Sequence, residues 1–199
     1  MSDDATIVTA LRDGSRVLIR QARPSDAAAL KAGFCDLSQH SRMMRFLQAS
    51  PRLSDSEFMR FVSPDHTRHE ALGAIVLTDT ESVPAGIAHF FRPSDTSPRA
   101  ELALTVIDRM QGKGIGTLLL GRLLRAAARL RITALDAIVH TENRAMIGLL
   151  LRLGAAPVRQ SGDRAFVLPV HQDPADYPDN RAGDGVRAAW YLDIERRAA

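Results

Sequence analysis

The stretch VIDRMQGKGIGT, residues 106–117, runs from an apolar strand end through three alternating glycines into a strongly amphipathic helix. Glycine leaves a backbone N–H uncovered by any Cβ, and the first turn of a helix adds unpaired donors and a partial positive charge. The stretch is therefore suited to hold an anion, and a pyrophosphate fits best. Spacing narrows the choice. The triphosphatase loop GxxxxGK[ST] fails because no glycine lies five residues before Gly112, and the dinucleotide pattern GxGxxG fails because Gly112, Gly114 and Gly116 run as GxGxG. What remains is Q-x-x-G-x-G on Gln111, Gly114 and Gly116.

Outward from the loop, residues 99–107 read as the strand that feeds it, preceded by strands over 71–79 and 85–91 with turn material at 81–84 between them. Such tight connections imply antiparallel neighbours. Residues 17–22 form an earlier strand, and the turn at 23–26 opens a helix over 27–37. Two more helical pieces follow over 39–46 and 54–62, the latter with Ser54 and Glu57 in capping-box spacing. After the loop the period becomes helical. Ile115, Leu118, Leu119, Leu123, Ala126, Ala127 and Leu130 share the face that packs on a sheet, with Arg122, Arg125 and Arg129 on the opposite, polar face. A strand over 135–139, a helix over 143–153 ended by Gly154, and strands over 158–160 and 165–170 complete the periodic part. Residues 172–185 read as an extended linker before a short helix over 186–197. The expected division is a domain over 1–170 and a tail over 171–199. Trp190 should dock on its own domain or, slightly favoured, across a homodimer.

Bulk properties limit the function classes. The 199 residues suit one ordinary domain, and a net charge of +3 with scattered basic residues gives no nucleic-acid footprint. No apolar run approaches the roughly 20 residues that span a bilayer, and the acidic N-terminus is unlike a signal peptide, so a cytoplasmic protein without membrane contact is expected. The single Cys35 reads as a small buried apolar side chain of the first helix. The six histidines show no metal-ligand spacing; His66 and His69 are the one close pair and read as solvated loop residues, so no metal is expected.

The Q-x-x-G-x-G loop, the acidic strand RAELALTV at 99–106, and Asn143-Arg144-Ala145-Met146 followed by Leu149 and Gly154 together resemble the GNAT N-acetyltransferases over residues 99–155. The catalytic domain of Pat-like protein-lysine acetyltransferases is the nearest likeness, and it extends more loosely to residues 11–26 and 37–46. The resemblance implies an α/β (α+β) fold with a mixed, mostly antiparallel central sheet flanked by helices. It implies the order β-α-α-β-β-β-α-β-α-β-β, with the loop between the fourth strand and the third helix. It further implies acetyl-CoA as acyl donor: main-chain groups of Leu104, Thr105 and Val106 along the pantetheine arm, Gln111 and the amides of Gly112, Lys113, Gly114, Ile115, Gly116 and Thr117 at the pyrophosphate, and Asn143 near the pantetheine. For Lys113 a solvated loop lysine is an equally open reading, and for Asn143 a helix-cap role can hold together with the cofactor role. Such relatives often carry a fused regulatory domain, and none is expected within these 199 residues.

Acetyl transfer to an amine needs a base, since a lysine-like amine of pKa about 10.4 costs roughly 4.6 kcal/mol to deprotonate at pH 7. Glu101, acidic on an otherwise apolar strand, is the candidate, activated by partial burial unless it is solvated or paired with Arg99. Where many GNAT enzymes have a tyrosine general acid seven residues after the asparagine, this chain has Leu150. The acceptor is expected to be a protein lysine. A small amine, and a non-catalytic acyl-CoA-binding regulatory module, are the alternatives; Arg42 and Arg45 disfavour a polycationic acceptor.

Overall fold

The computed structural model describes residues 6–48, 52–158 and 164–192. Among these, eight strands form one sheet: β1 (Ile7–Ala10), β2 (Arg16–Gln21), β3 (His69–Leu77), β4 (Ser82–Phe91), β5 (Arg99–Val106), β6 (Ala134–Val139), β7 (Ala156–Val158) and β8 (Arg164–Pro169). Their spatial order is β1-β2-β3-β4-β5-β6-β8-β7, antiparallel except for the parallel β5–β6 pair. The helices are α1 (Ala27–Asp36), α2 (Gln39–Phe46), α3 (Asp55–Phe61), α4 (Ile115–Arg129), α5 (Arg144–Arg152) and α6 (Arg181–Tyr191). The mixed, mostly antiparallel sheet expected from the sequence is present, and its element order is longer at two places. Strand β1 precedes the first expected strand, and the three helical pieces expected at 27–37, 39–46 and 54–62 are all present between β2 and β3, one more than the family order implied, so the loop joins β5 to α4. A four-residue edge strand offers too short a period to stand out beside an acidic terminus. Residues 159–160 and 193–197, expected in a strand and a helix, lie outside the described residues.

Local chemistry explains the boundaries. Ser54 Oγ accepts from the Glu57 N–H while Glu57 Oε2 accepts from the Ser54 N–H at 2.7 Å, the reciprocal cap that starts α3. The β3–β4 turn closes at Thr78, whose N–H donates to the Glu81 carbonyl at 2.9 Å, so β4 begins at Ser82 and takes in Pro84. The register slips between Ala74 and Ile75, which leaves Ala85 extra, and the slip accommodates a proline that has no N–H for the ladder.

Strand alternation divides the sheet into two faces. On one, Leu72, Ala74, Ala88, Phe90, Ala100 and Leu102 pack against α4 in the main core. On the other, Ala71 and Ile87 meet Ala22, Ala27, Leu30 and Val62 beneath α1 and α3. Helix α1 turns Ala27 and Leu30 inward, and Phe34 meets Phe46 and Phe58 edge-on. Cys35 is a helical step away from that side and is exposed, contrary to its expected burial.

The tail corrects the sequence reading most. The segment read as a linker contains a 3-10 turn at Pro174–Asp176, and α6 starts at Arg181, capped by Asn180 Oδ1, which accepts from the Ala182 and Gly183 N–H groups. Tyr177, Val186 and Trp190 are buried in the main core, so Trp190 finds its cover within its own chain. The supposed polar face of α4 receives them. Arg122 is 2% exposed, and Arg122 and Arg125 donate to the carbonyls of Ala189 and Trp190 at 3.5 and 2.7 Å. Cations thus meet the negative end of α6, which is where a helix dipole favours them. Close approach depends on Gly121, whose added Cβ would lie 2.8 Å from that of Ala189.

Candidate active site

Strands β5 and β6 pair at only three positions, Arg99 with Ala134, Ala100 with Leu135 and Glu101 with Asp136. Beyond Glu101 the two strands part. They open a cleft of about 950 Å³ lined by residues 102–106 of β5, 110–118 of the glycine loop and α4, and 137–139 of β6, with Asn143, Met146 and Leu149 at α5.

One peptide fixes which main-chain groups face the opening. The Ile107 N–H donates to the Ala85 carbonyl of β4 at 3.0 Å, so the Val106 carbonyl of that planar peptide points the opposite way. There it accepts from Gln111 Nε2 at 3.0 Å. Gln111 therefore fastens the loop to the end of β5. By the alternation of a strand, the Leu104 N–H and carbonyl face the cleft, whereas those of Thr105 turn toward β4.

The loop leaves its amides bare. Gly112 and Gly114 have φ of +75° and +96°, the left-handed region where a Cβ is strained. A Cβ on Gly116 would lie 3.5 Å from Leu104 and 3.8 Å from Val106, ordinary contact distances, so the helix starts beside β5 without requiring glycine there. The first helical bond runs from the Leu118 N–H to the Gly114 carbonyl at 3.0 Å, and among the described residues the N–H groups of residues 112–117 meet no acceptor. Fifteen residues of α4 stand behind them, with the positive end of their dipole in the cleft. Ile115 is 1% exposed, so only its main chain is available to a ligand. Lys113 is drawn aside: its Nζ is 2.9 Å from Asp13 in the β1–β2 turn, and that hydrogen bond holds the Asp13 carboxyl down at about 2. The Thr117 methyl lies under α6, 2.7 Å from where a Cβ on Gly185 would be.

Asn143 lines the cleft and also caps α5, its Oδ1 accepting from the Met146 N–H at 3.1 Å. Leu150 is fully buried in the main core rather than facing the cleft. Glu101 sits at the last paired position, where the strands begin to part. It is exposed, contrary to the expected partial burial, and it makes no hydrogen bond or ion pair with the described residues. Arg99 does not hold it: that guanidinium is engaged with both carboxylate oxygens of Asp136.

Behind Glu101 lies a polar cluster that the sequence did not disclose. On its face of the sheet stand His69, His89 and Phe91, since His69 pairs with Phe91 across β3–β4 and Phe91 with Glu101 across β4–β5. His89 Nε2 is 3.0 Å from the Arg45 guanidinium, and burial first, then the Arg45 charge, pushes the His89 pKa well down. The imidazole is therefore neutral and accepts from Arg45, leaving its buried Nδ1 without a partner among the described residues. Arg45 is half-buried; desolvation lowers its pKa to about 10, a loss that the negative charge of Glu101 partly offsets. Burial also depresses His69 to about 4. His69 thus departs from the solvated loop reading, as does His66, which lies 3.1 Å from the buried Glu70. Arg45, Ser41 and Met44 bring α2 to the same cleft. Asp108, in the 3-10 turn before the loop, seats that helix by accepting from the Ser38 N–H at 3.1 Å and from the Ser38 and Ser41 hydroxyls at 2.7 Å.

These features coincide with those of known proteins. The acetyltransferase (GNAT) domain family matches residues 16–156. Acetyltransferase PA5475 of Pseudomonas aeruginosa is 30% identical over 165 residues, 81% of this chain and 86% of that protein. Acetyltransferase Pat of Mycolicibacterium smegmatis is 30% identical over 156 residues, 75% of this chain but only 44% of the relative's length. The crystal structure of the GNAT domain of S. lividans PAT superposes with a TM-score of 0.74 at 25% identity, covering 82% of this chain and 96% of that one. A parted β5–β6 pair ending on a glycine loop, within a matched domain that takes in most of the chain, establishes that the protein belongs to the GNAT acetyltransferase family.

Proposed function

We propose that the protein moves an acetyl group from acetyl-CoA to a primary amine, a lysine side chain of a protein, with Glu101 as general base. The observation that carries this reading is the cleft between β5 and β6, which joins an unpaired strand edge to six unpaired loop amides. The pyrophosphate of coenzyme A sits on the amides of residues 112–117, and the pantetheine arm runs along β5 as an added strand, bonded by the Leu104 main chain. This length of arm brings the thioester toward the point where the strands meet, beside Glu101. The Glu101 carboxylate takes a proton from the acceptor ammonium. The freed amine attacks the thioester carbonyl, the C–N bond forms, the C–S bond breaks to release coenzyme A thiolate, and the second nitrogen proton is lost to that sulfur or to solvent. A thiol of pKa about 8.5 is a tolerable leaving group, so a core leucine at position 150 is compatible with turnover. Exposure of Glu101 suits an acceptor presented on another macromolecule, and the Arg45 charge behind it opposes a polyamine.

The test is mass spectrometry of reactions with acetyl-CoA against lysine-bearing proteins and peptides and a panel of small amines. Acetylation of protein lysines with little product from small amines supports the reading. Product from a small amine alone replaces the acceptor, and acetyl-CoA binding without any product leaves a regulatory binding module.

A further inference from the structure

The same cleft holds a group of cations that the transfer reaction does not use. Arg144 and Arg152 of α5 and Arg181 of α6 line it, and among the described residues none of their guanidinium groups has a carboxylate partner or a hydrogen bond. Sequence neighbours do not neutralise Arg181: Asp179 and Asp184 are both engaged by Arg187, at 3.4 and 2.5 Å. The three residues lie on one seam. Asn180 Nδ2 donates to the Arg152 carbonyl at 2.8 Å, which fixes the start of α6 to the end of α5. The Arg152 side chain folds back along α5, its Nη1 3.3 Å from where a Cβ on Gly148 would be, one turn after Arg144. Among the described residues, the one acidic residue lining the cleft is Glu142, ahead of α5. Unpaired like charges gathered along a groove repel, and an anion that enters between them relieves that repulsion.

We infer that Arg144, Arg152 and Arg181 form a subsite for a phosphomonoester, the 3′-phosphate at the adenosine end of coenzyme A, with α6 supplying one wall. This inference rests on the coenzyme A reading, because the loop amides take the pyrophosphate of the same molecule. A second phosphate then needs its own cations. Helix α6 lies outside the family match at residues 16–156, so this wall belongs to the C-terminal extension. Ala188 of α6, exposed and small, also lines the cleft and leaves space for a nucleoside, whereas Gly185 is packed on Thr117.

Calorimetry of the full chain with coenzyme A and with 3′-dephospho-coenzyme A tests it. Wild type should prefer coenzyme A. Arg181→Gln should weaken coenzyme A by about tenfold, the scale of one charge-assisted hydrogen bond, while affinity for the dephospho form stays put; Arg181→Lys should restore part of the preference. Equal affinity of wild type for both ligands overturns the subsite, as does an Arg181→Gln variant that weakens both equally. If wild type binds neither ligand, the coenzyme A reading itself fails and the subsite with it.

Discussion

Alternate residues of β4 and β5 lead to two unlike surfaces a few ångströms apart. Ala88, Phe90, Ala100 and Leu102 enter the apolar main core against α4, whereas His89, Phe91 and Glu101 face α2 and α3 among imidazoles, aromatic rings and Arg45. The first surface is backed by α4, whose fifteen residues can seal it; the second is backed by helices of eight and seven residues, which leave gaps that charged groups occupy. One ladder of hydrogen bonds thus serves both as scaffold and as floor of the site. Stability and chemistry should be separable along a single strand pair, residue by residue.

The largest effect expected is on stability. Phe90→Ala empties a fully buried position and should cost about 3–5 kcal/mol in denaturant unfolding, with turnover per folded molecule little changed. Equal losses in both would break the comparison.

Acid should attack the other face. His69 is held neutral, its pKa down at about 4 against an unfolded value of about 6.5, so the unfolded chain binds more protons in that window and stability rises with pH. The contribution is complete above pH 6.5 and lost toward pH 4, up to about 3 kcal/mol for this residue. A His69→Phe variant should flatten the unfolding free energy across that window; an unchanged slope would remove the buried imidazole as its source.

Glu101→Gln should lower turnover by about 10²-fold at pH 7 while unfolding and acetyl-CoA affinity stay the same, and the deficit should shrink as pH approaches that of the acceptor amine. Wild-type turnover would exclude Glu101 from proton transfer. The smallest effect concerns the far side of α4. Arg125→Ala removes the donor to the Trp190 carbonyl and should cost about 1 kcal/mol, visible as earlier thermal release of α6 by tryptophan fluorescence.

The glycine loop was legible because its signals are local: φ preferences at Gly112 and Gly114 and a helix start are properties of a few consecutive residues. The sheet followed from alternation and short turns. The tail was not, because an arginine stripe on α4 has the same period whether it faces water or the carbonyls at the end of α6, sixty-odd residues later in sequence. Lys113 illustrates the same limit: its place in the loop suggests a phosphate, and its partner Asp13 is known only once β1 and β2 are folded beside it. The His89–Arg45 pair joins a strand to a helix 44 residues away, with no motif to mark it.

The Asp108 seat bears on how such an enzyme can diverge. Helix α2 is attached to the loop through the Ser38 main chain and two serine hydroxyls, whereas its cleft-facing side chains include His40, Met44 and Arg45. Ser41 serves both the attachment and the cleft wall, whereas positions 40, 44 and 45 line the cleft without holding the helix to Asp108. Exchange at positions 40 and 44 can thus reshape that wall of the cleft while the helix keeps its distance from the glycine loop, and a new cleft shape need not be accompanied by a new fold.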